Sequence, residues 1–153
     1  MAVPSIRNIK PSDQTALQQI ARNAITLAVA APKEEKQNLL AGISRNIELV
    51  ITDRIAGVFL TAELSDAPVG FIIVKDHWNL SDPFVDPGHH RLGIGSKLWR
   101  DAFALCAKKN TKRSIRVNSS LNAVTFYESL GFSKVDVEQK LPEFIIPLEY
   151  SFH

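Results

Sequence analysis

Phe84-Val85-Asp86-Pro87-Gly88-His89-His90-Arg91-Leu92-Gly93-Ile94-Gly95-Ser96-Lys97-Leu98 carries an extended segment into a helix through a glycine turn. Glycines at 93 and 95 let the chain turn tightly and let a ligand approach the backbone. The first helical turn after them presents N–H groups that have no partner within the helix, together with the positive end of the helix dipole. Such a place attracts anions, phosphate and pyrophosphate above all. The stretch therefore predicts a phosphate-bearing ligand seated where a strand feeds a helix.

The surrounding pattern places this turn in a mixed α/β chain. Residues 5–10 read as a strand, and Ser12 as the N-cap of a helix that carries Ala16, Leu17, Ile20, Ala21, Ala24 and Leu27. Pro32 opens a second helix from Lys33 to Ile47, while Leu49-Val50-Ile51 fits helix or strand. Val58 to Leu64 and Val69 to Val74 read as a hairpin with Ser65-Asp66-Ala67-Pro68 as a four-residue connection. Asn79 to Val85 is a third extended stretch, and Pro83 in it signals an edge or a bulge. Alternation would put Leu80, Asp82 and Phe84 on one face and Asn79, Ser81 and Val85 on the other, up to the irregularity at Pro83. A helix follows to about Lys109, with Leu98, Ala102, Leu105 and Cys106 as its buried stripe. Ser114 to Asn118 is a strand, Ser119-Ser120 can cap a helix from Asn122 to Leu130, and Gly131 ends it. Ser133 to Val137 and Phe144 to Phe152 complete the order β-α-α-β-β-β-α-β-α-β-β, which implies one mixed sheet with helices on its faces.

Whole-chain numbers narrow the classes. At 153 residues the chain, read as 1–153, is a single domain with one sizeable core. A formal net charge of +2 offers no field for nucleic acid. The nearest basic cluster, Lys108-Lys109 with Lys112-Arg113, suits a helix C-terminus instead. The single cysteine, Cys106, excludes an internal disulfide and fits core packing in a reducing compartment. Met1 to Arg7 lacks the pattern of a secretory leader, and the run from Ala24 to Ala31 is too short to span a bilayer. The expectation is a cytoplasmic protein with no membrane and no nucleic-acid partner. His89-His90 beside Asp86 does not make a metal site, because adjacent histidines rarely converge on one ion. Trp78 and Trp99 read as packing residues.

Three phosphate-binding loops compete for the glycine turn. A dinucleotide fingerprint needs a third glycine where Leu98 stands, and an acidic residue where Ser114-Ile115-Arg116 stands. A P-loop spacing runs from Gly88 to Gly93, but Ile94 replaces the lysine that holds terminal phosphates. His90-Arg91-Leu92-Gly93-Ile94-Gly95, in contrast, resembles the pyrophosphate-binding motif Q/R-x-x-G-x-G/A of the GNAT N-acetyltransferase superfamily, and Phe84-Val85-Asp86-Pro87 resembles the end of that family's fourth strand. Val117 to Phe132, with Ala123, Tyr127, Gly131 and Phe132 in the pattern A-x-x-x-Y-x-x-x-G-F, is similar to the family's second cofactor motif. His90 departs from the usual Gln or Arg, a change that backbone N–H binding of pyrophosphate tolerates.

The resemblance implies a GNAT-like fold, a mostly antiparallel central sheet flanked by helices and splayed at the fourth and fifth strands. It implies acetyl-CoA as cosubstrate without a metal, and direct acetyl transfer to an amine in a ternary complex. It assigns cofactor binding to Phe84, Val85, Arg91, Leu92, Gly93, Ile94, Gly95, Ser96, Asn118 and Asn122, and general acid catalysis to Tyr127. Some family members use a glutamate on the fourth strand as base; this strand has none, and Asp82, His77 and Glu63, or water, stand in as candidates. That gap keeps open an alternative, a non-catalytic acyl-CoA-binding regulatory protein. The acceptor is unnamed by the sequence, and the late strands suggest a homodimer edge.

Overall fold

In a computed structural model the chain is described for residues 3–90 and 92–152, the side chains of Ala28 and Asp82 excepted. It runs β1 (Ser5–Asn8), a 3-10 turn (Pro11–Asp13), α1 (Gln14–Ala28), α2 (Lys33–Ile51), β2 (Gly57–Leu64), β3 (Ala67–Lys75), β4 (Asn79–Val85), a second 3-10 turn (Pro87–His89) and α3 (Ile94–Ala107). It then continues through β5 (Ser114–Ser120), a third 3-10 turn (Leu121–Ala123), α4 (Val124–Ser129), β6 (Ser133–Lys134) and β7 (Ile145–Ser151). The described strands form one sheet in the order β1-β2-β3-β4-β5-β7-β6, antiparallel at every join except the parallel β4–β5 pair. No described helix is long and apolar enough to cross a membrane.

Each face of the sheet carries its own apolar layer. Phe71 and Ile73 point from β3 into a cluster with Leu17, Ile20, Ala21 and Ile25 of α1 and Ile43 and Ile47 of α2. Ile72 and Val74 point the other way, toward Ile94, Leu98, Trp99, Ala102 and Cys106 of α3. Burial on both sides explains why β3 reads as a continuous hydrophobic run and not as an alternating one. Arg7 of β1 clamps the start of α1 to the sheet: its Nη1 and Nη2 donate to Asp13 Oδ2 and Oδ1 at 2.7 and 2.8 Å, and its Nε to Glu63 Oε1 at 2.7 Å.

Several local expectations are corrected. Ser12 lies within the 3-10 turn, and Asp13, which accepts from Lys10 N–H at 2.7 Å, occupies the N-cap position of α1. Leu49-Val50-Ile51 is helix, the end of α2. The β2–β3 connection has two residues, Ser65 and Asp66, at φ 50° and 66°; two positive values in succession are the mark of a type I′ turn, whose twist matches a hairpin. Pro68 is inside the strand, opposite Glu63 and beside a register shift at Ala62/Glu63. Leu105 is exposed, while Cys106 beside it is buried. Ser119 and Ser120 extend β5, and only a 3-10 turn separates them from a short α4. β6 is just Ser133–Lys134, shorter than the alternation suggested.

The faces of β4 also differ from simple alternation. Ile73 pairs with Asp82 and Val74 with Leu80, so Ser81 is an extra residue, a bulge. One added residue reverses the inward phase. Leu80 thus joins Val85 in the α3-side layer, whereas Phe84 packs on the α1–α2 side with Phe71, their ring centroids 5.8 Å apart.

Candidate active site

The parallel β4–β5 ladder consists of two pairs, Asn79↔Arg116 and Leu80↔Val117. Beyond them the two strands share no ladder, and a cleft of about 1420 Å³ opens there, walled by β4, β5, the starts of α3 and α4, and on its far side by α1, α2 and residues 141–145.

The end of β4 faces this cleft with backbone polar groups. Asp86 N–H donates to Val69 O at 2.8 Å, directly opposite, which marks that pair as the hydrogen-bonded kind. The adjacent pair, Gly70↔Val85, is then the non-bonded kind, and the N–H and C=O of Val85 point away from β3 toward the gap. The Val85 carbonyl lies 3.0 Å from His90 Nε2.

The start of α3 forms the adjoining wall. Gly93 is its N-cap at φ 75°, ψ 11°, a left-handed conformation, and contributes no side-chain cap. The first helical bond from the cap runs from Lys97 N–H to Gly93 O at 3.1 Å, so the N–H groups of Ile94, Gly95 and Ser96 have no partner within the helix. Ile94 is 1% exposed and fixes the helix to the core. Gly95 permits close approach: a Cβ there would meet Phe126 Cζ at 3.2 Å and Val85 Cγ2 at 3.8 Å. An uncapped helix start and an open strand edge therefore line one cleft.

α4 brings the candidate acid to the same cleft. Gly131, at φ 105°, ends the helix: Phe132 N–H reaches Tyr127 O at 3.1 Å and Gly131 N–H reaches Glu128 O at 3.0 Å. This is a Schellman cap, and the apolar contact that accompanies it joins Phe132 to Tyr127, centroids 5.4 Å apart. Tyr127 is 4% exposed, packed also against Phe126, and lines the cleft. A core tyrosine and a cleft tyrosine are the same residue here.

Of the residues singled out by sequence, Phe84, Val85, Gly93, Ile94, Gly95, Ser96, Asn118, Asn122 and Tyr127 all line the cleft. Leu92 points to solvent, 56% exposed, and is not part of the wall. Arg91 and the side chain of Asp82 lie outside the described residues. Two base candidates are elsewhere. Glu63 is engaged by Arg7, and His77 lines a separate hollow with Asp53, Lys108 and Lys109. The cleft has instead Glu35 of α2, His89 and His90. In the sequence Glu35 is one of several mixed charges on an amphipathic helix, with no signal that sets it apart as a base, and the two histidines read only as a metal pair and a motif departure. In the structure they diverge, His89 Nδ1 lying 3.5 Å from Asp86 Oδ2 while His90 turns to Val85. The described residues contain no group of three potential metal ligands. Burial pushes the Cys106 thiol up to about 12, far from a nucleophile's range.

Known proteins share the sequence pattern and the fold of this chain. The sequence model described as an acetyltransferase (GNAT) domain matches residues 32–143, more than half of the chain. No curated protein matches. Among solved structures, a GCN5-related N-acetyltransferase from Rhodopseudomonas palustris is 20% identical over 99% of this chain and 98% of its own, with a TM-score of 0.82. The PaiA N-acetyltransferase of Thermoplasma acidophilum, solved in complex with coenzyme A, is 21% identical over 98% and 99%, with a TM-score of 0.78. YncA of Salmonella typhimurium, a putative acetyltransferase solved with acetyl-CoA, is 19% identical over 99% and 95%, with a TM-score of 0.66.

Proposed function

The chain belongs to the GNAT acetyltransferase family, and from that premise we propose that its cleft takes acetyl-CoA and that it transfers the acetyl group directly to an amine. One observation carries the reading: the uncapped start of α3, the outward backbone of Val85 and the Tyr127 side chain line one cleft. Those residues fit the group. The N–H groups of Ile94, Gly95 and Ser96 suit a pyrophosphate, each charged hydrogen bond contributing about 1.5–3 kcal/mol. The outward carbonyl of Val85 suits an N–H of an amide-bearing arm lying along the strand edge, with Phe84, Asn118 and Asn122 beside it.

Bound there, the group supplies an activated acetyl thioester; the protein orients and moves protons. The Val85 N–H is directed into the gap, where it stabilises developing negative charge on a carbonyl oxygen. Tyr127, which lines the same cleft, would give the proton of its Oη to the departing sulfur. The acceptor amine enters from the side walled by α1, α2 and residues 141–145.

One observation favours the regulatory alternative. Glu63 and His77 lie away from the cleft, which leaves proton removal from the amine to water, to Asp82 or to a cleft group such as Glu35. Calorimetry with acetyl-CoA, CoA, ATP and NAD, followed by thiol release against an amine panel, separates the readings. Micromolar acetyl-CoA binding with amine-dependent release supports the transferase. Binding without release supports the regulator, and ATP or NAD binding in its place overturns both.

A further inference from the structure

His90 holds the carbonyl that the proposed acyl-CoA site would leave open to its ligand. The phase of the β3–β4 ladder turns both polar groups of Val85 toward the gap. An extended arm carrying amides, laid along that edge, would donate to the carbonyl. In the structure the donor to Val85 O is His90 Nε2, at 3.0 Å. A carbonyl oxygen only accepts, so the proton is on Nε2. The ring reaches back across the turn Pro87–His89 and sits on the cleft wall between the strand edge and the start of α3. His90 is exposed, which gives the ring solvent to swing into.

We propose that His90 is a latch on the end of β4: its imidazole occupies the carbonyl of Val85 until the amide arm of the ligand displaces it. This rests on the acyl-CoA reading of the cleft and assigns a positioning role within it. The ring substitutes for the ligand's amide, whereas the phosphate seat is built from backbone N–H groups of α3. A competitor of this kind reduces apparent affinity to the fraction of molecules in which it is disengaged. One net hydrogen bond corresponds to about a two- to tenfold effect.

The test compares two probes on the full chain: coenzyme A, which has the amide arm, and adenosine 3′-phosphate 5′-diphosphate, which has the pyrophosphate without the arm. In His90→Ala the Kd for coenzyme A should fall about two- to tenfold while that of the truncated probe stays unchanged. His90→Gln keeps an N–H donor and should restore the wild-type ratio of the two constants. Equal changes for both probes would overturn the latch, since the ring would then act on the phosphate seat or on the fold. Weaker or unaltered coenzyme A binding in His90→Ala would overturn it as well. If neither probe binds the wild-type protein, the acyl-CoA reading itself fails, an outcome distinct from an unmoved ratio.

Discussion

Gly93→Ala tests the turn on which the site depends. The residue sits at φ 75°, ψ 11°, and a Cβ placed there meets nothing within 4 Å among the described residues. Steric crowding by neighbours is thus absent, and the whole cost is the left-handed backbone, about 1–2 kcal/mol for an L side chain. The turn cannot relax by swinging α3, because Ile94 is anchored in the core and Gly95 is packed beneath Phe126. The strain therefore appears as lost stability. At about 2–4 °C per kcal/mol for a domain of this size, the midpoint of thermal unfolding should drop by about 2–8 °C. Gly93→Asn, which tolerates positive φ better, should fall between the two. Ligand-free unfolding followed by circular dichroism measures all three. An alanine variant as stable as wild type, or an asparagine variant no better than alanine, would refute the backbone argument.

Three further outcomes follow from named contacts. Tyr127→Phe keeps the ring among Phe126 and Phe132 and should lower the rate of thiol release by about 10²-fold or more while leaving the Kd for coenzyme A nearly unchanged; an unaltered rate removes the hydroxyl from the chemistry. The hydrogen bonds from Arg7 hold the Asp13 carboxyl below the usual carboxylate range, so its contribution is fully present above about pH 4 and is lost as pH falls through the lower folded value. Asp13→Ala should accordingly cost about 3 kcal/mol by urea unfolding at pH 7 and much less near pH 2, and an equal loss at both would contradict the ion-pair account. Gly42 lies inside α2 with open space, among the described residues, where a Cβ would go, so Gly42→Ala should add about 0.5–1 kcal/mol to the unfolding free energy measured in urea, and a loss would show that the position is crowded after all.

What was legible in the sequence divides along a physical line. The element order and the glycine turn that opens α3 could be read because each rests on local signals: apolar periodicity, and two glycines where a strand meets a helix. Gly131 after Leu130 likewise announced the helix end that positions Tyr127. What escaped depends on partners distant in sequence. The two-residue turn at Ser65-Asp66 has positive φ without glycine, a conformation that the paired strands impose on residues that would not choose it alone. The phase of β4 reversed because Ser81 bulges against Ile73 and Val74, and no pattern within seven residues reveals which one will be extra.

The same limit explains the fate of the candidate bases. Glu63 looked available as an acidic residue near the end of a strand, yet β1 lies beside it in the sheet and brings Arg7 to 2.7 Å, turning a possible catalyst into half of a structural clamp. His77 looked available as a histidine near β4, but the turn after β3 directs it to the far end of the sheet. His90, discounted because backbone groups alone could hold a pyrophosphate, is the histidine whose bond touches the cleft's strand edge. A motif names the backbone geometry it needs and is silent about side chains that the geometry leaves free. On the proposed reading the backbone places the ligand, and the unscripted side chain at position 90, bonded to Val85 O, would decide how easily the ligand enters.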